Sequence, residues 1–266
     1  MADIGSNSPV PFKVAGDLTI SDLRAALAAG WSDFLAMPQY GLFFGAIFAF
    51  AGIALAYATI VLGEVSWLIP AAAGFPLLAP FLAVGLYEVS RRREYGIAVD
   101  WPAVLGAIRG RGHDQILSMG VLIFVGFGFW VIIAHLIFSV FLVEAGAGSE
   151  SLEFLITPMG LAMLAVGSLI GGVIALVFYA VTVISLPMLV DREVDFLTAI
   201  FASLRAVSNN SMALLIWAVF IAIIMALAIA LAFLGLLIVV PVLGHATWHL
   251  YRRTIASTHP STGQVV

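Results

Sequence analysis

The chain has 266 residues, of which 63% are hydrophobic and only 10% charged, and its mean hydropathy is +1.14. Soluble domains keep roughly a quarter of their residues charged, so no water-soluble surface can be assembled around it; the composition is that of an integral membrane protein. The formal net charge of −4 carries no nucleic-acid footprint, and the absence of cysteine excludes disulfides, thiolate metal sites and cysteine nucleophiles.

Residues 1–20 form a polar amino-terminal arm. It contains acids and lacks the basic start and apolar core of a cleavable signal peptide, so the mature chain is expected to keep it. A spanning helix needs about 20 mostly apolar residues at 1.5 Å each, and six such spans are expected. Gly41–Leu62 and Ser66–Val89 form a tight hairpin around Glu64, and Leu117–Val143 and Pro158–Leu186 flank the acidic loop "EAGAGSESLE". From Ser211 to Trp248 there is no charge at all. A single helix of that length would reach about 57 Å, nearly twice the membrane, so the chain must fold back, and Gly235 is the expected turn. A polar tail, 254–266, closes the sequence.

Charge tests this layout independently. With six spans, all eleven Lys and Arg fall on one side: Lys13, Arg24, Arg91, Arg92, Arg93, Arg109, Arg111, Arg192, Arg205, Arg252 and Arg253. The opposite side holds Glu64, Glu144, Glu150 and Glu153. Because Lys and Arg resist translocation, both termini are expected in the cytoplasm. Arg91, Arg92, Arg93, Arg109, Arg111, Arg252 and Arg253 then make a basic rim that either fixes topology or attracts anionic headgroups.

Ahead of the first, third and fifth spans stands a short amphipathic stretch opened by aspartate: "DLRAALAAGW" at Asp22, "DWPAVLGAIR" at Asp100 and "DFLTAIFASL" at Asp195. Negative charge suits a helix start, and Pro102 is tolerated in a first turn. A second correspondence pairs "PFLAVGLYEVSRRRE" from Pro80 with "PVLGHATWHLYRRT" from Pro241, with "PMLVDREVD" from Pro187 as a shortened version. The expected architecture is thus an all-α membrane domain over 21–253. It is built from three repeats, about 21–90, 99–190 and 194–253, each an interfacial amphipathic helix followed by a transmembrane hairpin. Gly41 and Gly45 in the first span, and Gly167, Gly171 and Ala175 in the fourth, are candidate helix-packing positions, because small residues let backbones approach in lipid.

His245 and His249 are four apart and share a helix face, as two ligands of one ion or haem would. His135 lies about 27 Å into its span and His245 about 12 Å, too far apart to share an ion on straight helices. Trp248, Tyr251, Arg252 and Arg253 read as an interfacial belt, with His249 at the water boundary and His245 bonded across to another helix near Tyr87 or Thr247. No acid is expected at their depth. Structural hydrogen bonding, metal or haem ligation and a proton-linked role all stay open, and no resident cofactor is assigned. There is no phosphate loop, no His-Glu-x-x-His and no Gly-x-Ser-x-Gly, so no catalytic residue is assigned either.

The segments "FPLLAPFLAVGLYEVSRRRE", "SLPMLVDREVDFLTAIFASLRAV" and "PVLGHATWHLYR" resemble the family of predicted integral membrane proteins called domain of unknown function two-one-eight-nine. The likeness extends from about Ser21 to Arg253, with the last motif the most specific. It implies a bacterial inner membrane, and the label of cytochrome c oxidase subunit I carried by some relatives implies a respiratory setting. An oxidase catalytic subunit needs about six membrane histidine ligands, and this chain offers two or three. The resemblance therefore implies an accessory or assembly partner bound to other membrane subunits and to lipid. A carrier or flippase for an apolar or lipid-like solute is the alternative, and a haem or metal protein using His245 and His249 is a second.

Overall fold

A computed structural model describes residues 12–61, 82–107, 113–144 and 152–257. The expectations for Glu64, Arg109, Arg111, Glu150, most of the second span and the outermost termini lie outside these residues, as do the side chains of Glu144 and Glu153. In chain order the elements are β1 (Phe12–Val14), α1 (Ile20–Ala36), α2 (Pro38–Val61), α3 (Val84–Glu94), α4 (Trp101–Leu105) and α5 (His113–Glu144). A 3-10 turn (Leu152–Ile156) leads into α6 (Pro158–Thr182) and α7 (Ser185–Asp191), followed by α8 (Phe196–Asn209), α9 (Ser211–Ala230), α10 (Leu236–Thr254) and β2 (Ile255–Ser257).

Local chemistry sets the boundaries. At the starts of α1, α4 and α8 an aspartate takes part in the cap. Asp100 and Asp195 cap α4 and α8 by accepting from the amides of Ala103 and Thr198, which would otherwise lack partners. At α1 the cap is Thr19, and Asp22 sits three residues on, accepting from the Thr19 amide while Thr19 Oγ1 accepts from the Asp22 amide. The aspartate expected to open this helix therefore belongs to a reciprocal capping box. Pro187 has no amide for the Val183 carbonyl and crowds the preceding turn, and the helix breaks there into α6 and α7. Ser203 of α8 attends the break, accepting from the Ile184 amide at 3.2 Å and donating to the Ala180 carbonyl at 2.7 Å. Between α9 and α10 the chain turns over 231–235, at the expected place, with Ala232 and Phe233 both in the left-handed region at φ 53° and 66°.

Among the described residues, four helices are long and apolar enough to cross a membrane: Pro38–Ala58, Asp114–Val143, Pro158–Asp191 and Ser211–Ala230. The outer faces of α2, α5, α6 and α9 carry exposed Phe50, Phe124, Leu169 and Ile223, the surface that hydrocarbon solvates. α10, expected as a sixth span, is not among the four, because its second half carries His245, His249, Arg252 and Arg253. It is instead largely enclosed, with thirteen of its 19 residues buried. Trp248, Leu250 and Tyr251 are 0% exposed, so Trp248 and Tyr251 are core side chains rather than members of an interfacial belt.

The core lies where α3, α7 and α10 meet. Around it α1 packs on α10, α4 on α3 and α8 on α7. β1 pairs antiparallel with β2, Lys13 opposite Ala256, so both ends of the described chain are fastened together at one end of the bundle.

Candidate functional site: a carboxylate-clamped hub

Three carboxylates from three different helices hold α10 at that end of the bundle. Asp33, on α1, is 7% exposed. Its Oδ1 accepts from Arg93 Nη1 at 2.8 Å, and its Oδ2 takes Ser90 Oγ at 2.6 Å and His249 Nε2 at 2.9 Å. Ser90 also lies 2.7 Å from Nδ1 of the fully buried His245. An ionised carboxylate only accepts and serine has one proton. Ser90 therefore donates to Asp33 and accepts from His245 Nδ1–H, which leaves Nε2 of the neutral ring a bare acceptor without a hydrogen-bond partner among the described residues.

Glu94, closing α3, accepts from Trp248 Nε1 at 2.8 Å and from Arg252 Nε at 2.9 Å. Asp191, closing α7, accepts from Tyr251 Oη at 2.6 Å, from Arg252 Nη1 at 3.1 Å and from Tyr95 Oη at 3.2 Å. The Arg252 guanidinium also lies over the Tyr95 ring, 5.5 Å from its centroid, a cation–π contact. Each carboxylate thus ties α10 to a separate helix. A buried charge of this kind is tolerated only where the opposite charge and the remaining lone pairs are satisfied.

The electrostatics follow from these contacts. Burial pushes the Asp33 carboxyl up, but hydrogen bonds from His249 and Ser90 outweigh it and hold the group below the ordinary carboxylate value. Hydrogen bonds from Thr19, reinforced by Arg253, lower Asp22. Burial and the Asp191 carboxylate raise the Tyr251 phenol, which stays protonated and donates.

Of the arginines expected as a rim, those described are ion-paired within the chain. Arg91 and Arg92 both bind Glu88, at 2.7 Å each. Arg93 binds Asp33, Arg252 bridges Glu94 and Asp191, and Arg253 reaches Asp22 and Asp17. His245 faces Ser90 and His249 faces Asp33. Among the described residues no three His, Cys, Asp or Glu are grouped to hold a metal. His135, on α5, is partly buried and remote from the hub's helical ends.

The small residues divide. A Cβ on Gly45 would stand 2.7 Å from the Leu237 carbonyl oxygen, and one on Gly41 would stand 2.9 Å from Pro241 Cβ, so α2 meets α10 at backbone distance. Gly171 faces the Trp130 ring on α5, Gly167 faces open space, and Ala175 lines a cavity between α6 and α9.

Sequence reading expected no acid beside the histidines and missed Asp33. The signal was present in its phase: Asp33 follows Leu23, Ala26 and Gly30 on the buried stripe of α1, where a carboxylate must meet a partner. The joining of Glu94 and Asp191 through Arg252 had no such signal.

Together the apolar spans and the hub define a helical integral membrane protein whose polar interior is gathered at one end. Residues 68–191 match the family described as "Predicted integral membrane protein (DUF2189)". The match leaves out α10, whose motif looked the most specific. No curated protein and no solved structure matches the chain.

Proposed function

We propose that the protein is a non-enzymatic, six-span protein of the bacterial inner membrane that serves as a lateral accessory or assembly partner of a larger membrane complex. A respiratory oxidase is the first complex to test. The observation that carries this reading is α5. It is a helix of 32 residues with only 17% of its apolar window buried within the chain, and it presents Phe124 and Phe129, 70% and 63% exposed, on its outer face. Helix association in lipid rests on packing, and a long, sparsely packed helix leaves a face for a neighbouring subunit.

The layout supports the same reading. The described basic residues accompany the end at which β1 and β2 join, which favours cytoplasmic termini. The recurring step of a short Asp-bearing helix packed on the last helix of the preceding hairpin favours a threefold repeat closed into a ring. The test is purification from native membranes in mild detergent, with a photo-crosslinking amino acid at Phe124 or Phe129. A stoichiometric integral-membrane subunit joined to α5 is expected; a chain that always runs alone and cross-links only to lipid overturns the proposal.

A further inference from the structure

α6 and α9 do not close on each other. Between them, with α3 and α10 behind, lies a cavity of about 460 Å³, within the range of roughly 300–1,000 Å³ typical of small-molecule sites. Among the described residues no charged side chain lines it, so they offer nothing to an ion, an amino acid or a nucleotide. Its mouth lies between helices whose outer residues, Leu169, Val173, Leu215 and Val219, are exposed apolar groups, so the molecules with access are those dissolved in the bilayer.

Polarity is graded along the slot. It follows α6 from Gly172 to Thr182, ten residues or about 15 Å. At the end nearest the hub stand Tyr179, Thr182, Thr247 and Tyr87, and at the other Gly172, Met225 and Val240. Three of the four hydroxyls are spent within the protein: Tyr179 donates to the Leu214 carbonyl, Thr182 to Phe178 and Thr247 to Leu243. Tyr87 is different. It is 2% exposed, lines the slot and has no hydrogen-bond partner among the described residues, although a buried phenol ordinarily finds one.

We propose that the slot between α6 and α9 binds an acyl chain of a membrane glycerolipid, with its ester carbonyl accepting a hydrogen bond from Tyr87 Oη. The slot runs parallel to the helices, as lipid chains do, and its polar end faces the side of the bundle where the headgroup belongs. The small side chains of Gly172, Ala175, Ala218 and Ala222 make room for the chain. This site is independent of the outer face of α5.

The full chain, reconstituted in phosphatidylcholine vesicles containing a few per cent of phosphatidylcholine with a diazirine in one tail, is irradiated and the adducts are mapped by mass spectrometry. Adducts concentrated on Gly172–Ala175 and Ala218–Met225 are expected. Ala222→Trp, which fills the slot, should lower them at least fivefold, and Tyr87→Phe should lower them severalfold with an unchanged melting temperature. If Ala222→Trp does not fold, Ala218→Leu serves in its place. Adducts spread evenly over α5 and α9, a yield indifferent to filling, or peptides cross-linked to a second copy through the slot overturn the proposal. Labelling by a diazirine fatty acid in preference to the glycerolipid overturns the ester anchor, as does a Tyr87→Phe variant that labels normally.

Discussion

The α2/α10 and α6/α9 interfaces each set one long helix against another, yet one is shut and the other open. At α2/α10, Pro241 has no amide for the Leu237 carbonyl, and Gly45 offers that carbonyl a surface without a side chain. Gly52 receives the Phe233 ring from the turn above, and α1 adds the Asp33 clamp below. At α6/α9 small residues face one another as well, but no backbone contact follows; Tyr179 bonded to Leu214 is the described hydrogen bond between the two helices. Small residues permit close approach and do not enforce it. What shuts an interface is the complementary surface opposite and the polar clamp that fixes the helices at their ends.

The comparison breaks hardest at Gly45. Gly45→Leu would drive a side chain into the Leu237 backbone, which cannot yield as a flexible side chain can, and should cost roughly 3 kcal/mol or more, read as loss of the folded fraction in detergent. Next comes the clamp. Asp33→Asn removes the charge that Arg93 and His249 share and should cost about 2 kcal/mol, below the usual 3–5 for a broken buried pair because both partners keep some solvent. Thermal unfolding in micelles measures it. The same carboxylate predicts a pH dependence. Its pKa is lower folded than unfolded, so its stabilisation is fully present above the ordinary carboxylate value of about 4 and is lost as the pH falls through the lowered folded value. The wild-type melting temperature should drop relative to Asp33→Asn in that acid window.

The open side should respond less. Tyr179→Phe removes one neutral hydrogen bond, about 1 kcal/mol, and should loosen α6 from α9 without disturbing the hub; hydrogen exchange confined to those helices checks it. Ala222→Leu places three more carbons in existing space and should shift stability by no more than about 0.5 kcal/mol. A loss comparable with that at Gly45 would show that the two interfaces are equally tight.

Much of the frame was legible in the chain. The long apolar, uncharged runs mark α2, α5, α6 and α9 as spans; Asp100 and Asp195 announce the starts of α4 and α8; Gly235 lies at the end of the observed turn. The hub was partly legible. His245 was singled out as bonded across helices and His249 as lying at the water boundary, but the partners of both are separated from them by more than 150 residues, and periodicity reports only which face a residue occupies. Trp248 and Tyr251 show the consequence. An aromatic near a helix end beside two arginines fits a headgroup belt as well as it fits a core, and the choice depends on whether other helices arrive to cover it.

Composition and charge placement by themselves determined that this chain dissolves in a bilayer, because transfer of apolar and ionic groups depends on residue type and scarcely on neighbours. Tertiary structure alone decided that α10 is enclosed rather than lipid-facing, that its arginines pair with Glu94, Asp191 and Asp22, and that one small-residue interface is shut while another holds a slot. These outcomes depend on which surfaces meet, and contacts between residues far apart in the chain leave no local trace in it.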